Sequence, residues 1–591
     1  MKTFFTAFGG AILGVILGTI LLGFIGFAII SGIIANATQP EPHPESIVLT
    51  VDLRYGLMDQ AATTGPEAIF GNPTGFIDVI TRLDAAVSDE RVKGIFVRGS
   101  EFGIGSSRAE ELRTAFLALK AADKFVIAHS QGSYGGGPSS YRAIAAADQI
   151  WVQPGSDVVA TGISFETLFM KGLFEKLSIT ADIEALYEFK NAPNTYREDS
   201  YTEPHRLAMT RLAESIWDIS LVDIAADRGL TIDQARTALE SGPLSSEKMV
   251  LLKLATEEGW PEDAREAALA LAGDESEVLS VFNYIAPETP FQAPVIAIVG
   301  GQGPIVTGEA GGNLFSEGKG FASDAVAQAI LDAGENEDVL AIVFRVDSPG
   351  GSPTASDQIW RAVHRVQTEH KKPVIVSMGS VAASGGYYVS TGADWIVANR
   401  TTITGSIGIF GGKFAISEGL ARIGVNAESI SVGGSFTGAY TSTERFSDEQ
   451  RVLLREGLTR GYERFLKLVS EGRGLTRDEV HERARGRVWS GEDALQQGLV
   501  DQLGGLTDAI AKAREMVDIE ADVEIRIIHY PQQSEGFSIG GPMASASAQQ
   551  LQALGQFTSA LNDPRVQALL IEIEASQAVN VQARLPNMTE R

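Results

Sequence analysis

LAIVFRVDSPGG, residues 340–351, is an apolar run that ends in an arginine and a glycine turn, and KGIFVRGSEFGIG, residues 93–105, is built the same way. Arg98 and Arg345 stand 247 residues apart. The correspondence continues downstream. KFVIAHSQGSYGGGPSSYRAIAAADQIWV (124–152) aligns with KPVIVSMGSVAASGGYYVSTGADWIVA (372–398), and VVATG (158–162) with TTITG (401–405). KGLFEKLSITADIEALYEFK (171–190) then aligns with SEGLARIGVNAESISVGGSFT (417–437), and GPLSSEKMVLLKLA (242–255) with GRVWSGEDALQQGLV (486–500). Such a period is far too long for a solenoid and reads as a duplicated domain.

Each copy alternates short β-branched runs with stretches of helical period. VIAIVG, AIVFRV, VIVSM and DWIVA read as strands, and DAVAQAILDAG, ASDQIWRAVHRVQTEH and the segment after Ser384 as helices. The alternation predicts an α/β fold in which βαβ units build a mostly parallel sheet with helices on both faces. Copy one is expected over residues 41–290, with a helical excursion at 203–242, and copy two over 291–530. Residues 531–591 are rich in Gly, Ser, Ala and Gln and are expected to form a flexible tail with a short helical region.

The bulk composition narrows the function classes. A chain of 591 residues exceeds what one core supports, and a net charge of -27 argues against nucleic acid as a partner. With no cysteine there is no disulfide and no thiolate chemistry, and seven scattered histidines form no ligand pair, so neither a metal nor another cofactor is expected.

Residues 1–40 have a different character. AFGGAILGVILGTILLGFIGFAIISGII (7–34) carries no charge, and as a helix it would be about 42 Å long against a hydrocarbon core of about 30 Å. Ala35-Asn36-Ala37 resembles a signal-peptide cleavage site, but the apolar run far exceeds the usual signal-peptide core, which favours a retained anchor. Lys2 precedes the span and the acidic QPEPHPE (39–45) follows it, so the bulk of the chain is expected across the membrane from the cytoplasm.

Two serine motifs compete for the chemistry. GFSIG (536–540) fits G-x-S-x-G around Ser538, yet PQQSE before it and Gly541-Pro542 after it supply neither the strand nor the helix of a nucleophile elbow. In GSVAASGGYY (379–388), Ser384 opens a helical segment among small residues, one βα unit after the DSPGG turn. Gly350 and Gly351 of that turn can present backbone N–H groups as an oxyanion hole requires. A packing serine at a crowded helix start fits the same residues. The repeat adds a partner, because copy two has Ser384 where copy one has about Pro138, while copy one has Phe189-Lys190 where copy two has Phe436-Thr437. Neither copy holds both the serine and the lysine at these matched positions. Taken alone, Lys190 is also readable as an ordinary solvated lysine.

This combination of anchor, DSPGG, ASGGYY, TGSIG (404–408), FK and RVWSGEDALQQGLVD (487–501) resembles the signal peptide peptidase A (protease IV) family in its long duplicated form, from the anchor to about residue 530. The resemblance implies the crotonase/Clp-protease-like fold and a serine endopeptidase with a Ser–Lys dyad: Ser384 as nucleophile, Lys190 as general base and the Gly350-Gly351 turn as oxyanion donors. It also implies cleaved signal peptides and other apolar peptides as substrates, and a homo-oligomer, a tetramer by the family's habit. The expected location is the bacterial inner membrane, single-pass, with the catalytic region on the periplasmic side. RGSEFGIG and Pro138 depart from the pattern, so no second active site is expected in copy one. Two other readings of the fold are an acyl-CoA enzyme using paired carboxylates and an inactive membrane scaffold.

Overall fold

The computed structural model describes residues 44–54, 56–60, 75–135, 137–309 and 321–531. The apolar run 7–34, the 531–591 tail from residue 532 onward and GFSIG with Ser538 lie outside the described residues. Among the described residues no helix is long and apolar enough to cross a membrane.

The first half contributes strands β1 (Ile47–Asp52), β2 (Val92–Arg98), β3 (Phe125–Ser130), β4 (Gln149–Val152), β5 (Thr180–Ala185), β6 (Glu257–Glu258) and β7 (Glu277–Ser280). Its helices include α1 (Phe76–Ser88), α2 (Ser106–Ala121), α3 (Ser139–Ile144), α4 (Lys171–Leu177) and α5 (Glu203–Arg228). The second half contributes β8 (Val295–Gln302), β9 (Val339–Ser348), β10 (Val374–Ala383), β11 (Trp395–Ala398), β12 (Ile403–Gly405), β13 (Phe410–Ala415), β14 (Val488–Ser490), β15 (Gln502–Leu503) and β16 (Arg526–Tyr530). With these go α6 (Pro353–Arg365), α7 (Gly385–Ser390), α8 (Ser417–Arg422), α9 (Asp448–Arg473) and α10 (Leu506–Met516).

The two sheets have one strand order. The first runs β6-β4-β3-β2-β1-β7 and the second β15-β11-β10-β9-β8-β16, parallel throughout. In the second, β12 also pairs with β10, and β14 runs antiparallel to β12. A parallel sheet covered on both faces needs apolar side chains on both. Accordingly nine of the ten residues of β9 are buried, and the run reads as continuously apolar rather than alternating.

The halves are not independent. One core cluster joins Ile95, Val97 and Ala128 of the first sheet to Ile298, Ala341 and Val343 of the second, with α10 contributing Leu506 and Ala509. A second cluster fills the other face of the second sheet. Across the junction the fully buried Arg345 guanidinium meets Asp59 (2.9 Å) and Glu111 (2.8 Å), and Arg108 reaches Asp347 (2.9 Å). Arg400 likewise grips Glu110 (2.6 Å) and Asp223 (2.7 Å). A ribbon completes the junction, for β5 of the first half pairs antiparallel with β13 of the second.

The structure corrects one alignment. Asp157-Val158 pairs antiparallel with Leu244-Ser245 as Ile403-Thr404 pairs with Trp489-Ser490, and Ser245 and Ser490 both cap the helices that follow. Val158 is therefore level with Thr404, not Thr401. Matching the two Thr-Gly pairs by identity displaced this segment by three residues.

Candidate active site

Ser384 sits where β10 turns into α7, as the N-cap of that helix. Its backbone has φ 55° and ψ -115°, a conformation that costs a non-glycine residue about 1–3 kcal/mol. Two backbone hydrogen bonds hold it there: its N–H donates to Gly405 O (2.9 Å) and its carbonyl accepts from Tyr388 N–H (2.8 Å). The glycines nearby are there for close approach. A Cβ on Gly350 would lie 2.8 Å from Ser384 Cβ, and one on Gly386 would lie 2.6 Å from Ser348 O. In the first half Pro138 caps α3 at the matching place, because Tyr141 and Tyr387, each three residues further on, donate their hydroxyls to Leu254 O and Leu499 O.

Lys190 arrives from the other half, carried across by the β5–β13 ribbon. It lies beyond the end of β5, in a turn whose Phe189 N–H donates to Arg485 O (3.2 Å). Continued strand alternation would turn Glu188 to the opposite face from Lys190. Instead Tyr187 has φ 66° and the turn sends Glu188 outward to Arg485 (2.8 Å). Gly486 supports the lysine from below, since a Cβ there would lie 2.5 Å from Lys190 Cα. The Lys190 side chain is buried, and its Nζ lies 3.0 Å from Ser384 Oγ.

Nζ also donates to Ser406 O and Ser406 Oγ, each at 3.0 Å. Burial alone pushes the Lys190 ammonium down to about 7, a change worth about 5 kcal/mol against charging it. As a free amine it has two N–H groups and one lone pair. Ser406 takes the two N–H groups, which leaves the lone pair facing Ser384 Oγ.

Ser406 was missed by sequence reasoning. TGSIG was noted only as a shared turn, and the three-residue displacement hid the informative exchange: Ala160 stands level with Ser406, so the first half lacks this hydroxyl too. Ser406 has φ 50° and is fixed by its N–H donating to Arg487 O (2.7 Å).

The glycine turn is more selective than its sequence implied. Gly350 N–H already donates to Ser348 Oγ (3.1 Å). Gly351 is stitched to Ile305 on one side, through Ile305 N–H to Gly350 O and Ser352 N–H to Ile305 O, both at 2.9 Å. That leaves the Gly351 N–H directed the other way, and a Cβ on Gly385 would lie 3.0 Å from its nitrogen. Among the described residues neither Gly351 N–H nor Gly385 N–H has an acceptor. Gly385 opens α7, where an N–H has no intrahelical partner. No group of acidic or histidine side chains able to hold a metal occurs among the described residues.

Residues 118–274 and 366–520 each match the family model of peptidase family S49. The chain belongs to peptidase family S49. The first matched segment contains Lys190 and the second Ser384. Among the relatives, Protease 4 of Haemophilus influenzae is 30% identical over 470 residues, covering 76% of this chain and 74% of that protein. Protease 4 of Salmonella typhi is 31% identical over 471 residues, 75% and 72% of the two chains. The chloroplastic serine protease SPPA of Arabidopsis thaliana is 26% identical over 490 residues, 81% and 71%. These likenesses make the chain a serine peptidase of family S49, similar to signal peptide peptidase A.

Proposed function

We propose that the chain is a membrane-anchored endopeptidase of crotonase/Clp-protease-like fold that cleaves apolar peptides, released signal peptides among them, with Ser384 as nucleophile and Lys190 as general base. The observation that carries this reading is the buried Lys190 Nζ at 3.0 Å from Ser384 Oγ, with a pKa lowered by burial to about 7. In the first half-reaction Ser384 Oγ bonds to the scissile carbonyl carbon while Lys190 Nζ takes the hydroxyl proton. The carbonyl oxygen becomes an oxyanion received by Gly351 N–H and Gly385 N–H. Collapse breaks the C–N bond, Lys190 returns its proton to the leaving amine, and an acyl ester remains on Ser384. Water then attacks that ester, Lys190 accepts a proton from the water, and Ser384 Oγ leaves as the hydroxyl. Ser406 is a positioning residue in this scheme.

The experiment is hydrolysis of an apolar peptide by the full chain and by Ser384→Ala. Parent activity that the variant lacks supports the proposal, whereas an inactive parent favours the scaffold reading. A pH profile carries more detail. Since only the free amine accepts a proton, kcat/KM should rise with pH through about 7 and level off above it. A profile flat between pH 6 and 8 contradicts Lys190 as the base.

For Ser406→Ala, kcat should fall about 10-fold to 100-fold with KM little changed, from a misdirected lone pair. Loss of an acceptor for the ammonium should also move the acid limb of the profile to lower pH. A merely structural role for Ser406 would lower activity without moving that limb.

A further inference from the structure

Strand β10 does not run level with β9 to its end. Val346 is opposite Met378 and Ser348 is opposite Ala382, so Gly379, Ser380 and Val381 share the single place opposite Asp347. Such a bulge bends its strand and re-aims the side chains beyond it. Ser384 follows Val381 by three residues.

Each residue of the bulge is held separately. Gly379 O accepts from Thr402 Oγ1 (2.7 Å), and a Cβ on Gly379 would lie 2.9 Å from Asp347 Cβ. Ser380 Oγ shares a hydrogen bond with Ser107 Oγ of α2 (2.9 Å). Val381 N–H donates to Asp347 Oδ1 (3.0 Å), and Asp347 Oδ2 accepts from the Arg108 guanidinium of α2 (2.9 Å). Asp347 also leads into the glycine turn, where Ser348 Oγ takes the Gly350 N–H (3.1 Å). One carboxylate therefore ties the strand that delivers Ser384 to the turn that carries Gly351. The first half, which has Pro138 in place of the nucleophile, has Ser100 in place of Asp347, and Ser100 Oγ accepts from Gly103 N–H (3.1 Å).

We infer, on the Ser384 mechanism proposed above, that Asp347 is a positioning residue for the nucleophile and that Arg108 of the first half holds its carboxylate in the ionised form this needs. The charged groups facing Asp347 are Arg108 from α2, Arg345 from its own strand and Asp59 from the loop before α1, with Glu111 of α2 behind Arg345. Burial and the Asp59 charge push the Asp347 carboxyl up, and Arg108 and Arg345 oppose them. A protonated Asp347 gives up its ion pair with Arg108 and is a weaker acceptor for Val381 N–H. Losing Arg108 should bring that protonation to higher pH, toward the Lys190 limb at about 7.

Peptide hydrolysis by the full chain supplies the test. Asp347→Asn keeps the size of the side chain but turns an NH2 group toward either Val381 N–H or Arg108. Its kcat should fall about 10-fold to 100-fold with KM within about twofold of the parent, as a misplaced nucleophile requires. In Arg108→Gln, log kcat/KM should break a second time on the acid side of the Lys190 limb, at higher pH than any second break in the parent. The Asp347→Asn/Arg108→Gln variant should lose that break, because the group that titrates is gone. A folding defect caused by losing Arg108 persists in the double variant, so a break that remains there overturns the inference. Asp347→Asn with a parental kcat, beside an inactive Ser384→Ala, overturns it alone and leaves the Ser384 mechanism standing. A parent that hydrolyses no peptide overturns both.

Discussion

Replacing Lys190 with methionine should lower kcat/KM by about 10³-fold or more while making the protein more stable at neutral pH. On the proposed mechanism the activity loss follows from removing the amine that lies 3.0 Å from Ser384 Oγ. Stability moves the other way through linkage. Lysine in the unfolded chain titrates near 10.4, and in the folded chain burial brings Lys190 to about 7. Between those values the unfolded state binds the extra proton, so stability contributed by this group is present above pH 10.4 and lost as pH falls to about 7, by up to about 1.4 kcal/mol per pH unit. Methionine fills similar space and removes that dependence. It also strands Ser406 Oγ, which costs part of the gain. A net stabilisation of about 1–3 kcal/mol near pH 7, narrowing as pH rises toward 10, is the expected outcome of denaturant unfolding. A variant less stable than the parent at pH 7, with a gap that does not depend on pH, would mean that Lys190 is charged in the folded protein.

The second large effect concerns the junction that brings lysine and serine together. Arg345 is buried against Asp59 and Glu111 and also donates to Ser377 Oγ (3.0 Å). Arg345→Met should cost about 3–5 kcal/mol, because two carboxylates from the first half would lose their buried counter-charge. Adding Asp59→Asn and Glu111→Gln to it should recover part of that loss, since the penalty lies in the uncompensated charge rather than in the missing ion pair. The denaturant midpoint measures both. Catalysis should track the stability, as docking of the first half positions Lys190. If Arg345→Met were neutral, the apolar cluster shared by the halves would be sufficient to hold them in register.

The fold was legible because its strands are buried on both faces and end in glycine turns, features that survive as continuous apolar runs and recur in both halves. The meeting of Ser384 with Lys190 was legible for a different reason: each is missing from the half that holds the other. Ser406 escaped because the segment around it is short, small-residue and β-branched, so that a Thr-Gly match outweighed the true register. The division of labour at the glycine turn was also invisible in sequence. It depends on Ser348 Oγ capturing Gly350 N–H, which frees only Gly351 beside the opening amide of α7. The clamp at Arg345 was hidden because Asp59 and Glu111 come from a loop and a helix more than 230 residues away. The turn that carries Lys190 was not legible either, because it depends on a left-handed Tyr187 just past the end of β5.

In the proposed mechanism one serine, activated by a lysine from the other half of the chain, is the nucleophile. Labelling the full chain with a serine-directed acylating probe and mapping the adduct by mass spectrometry tests it most directly. A single adduct should form on Ser384, at a rate that rises with pH through about 7 and collapses in Lys190→Met. An adduct on Ser538, or labelling of Ser384 that proceeds equally fast without Lys190, would contradict it.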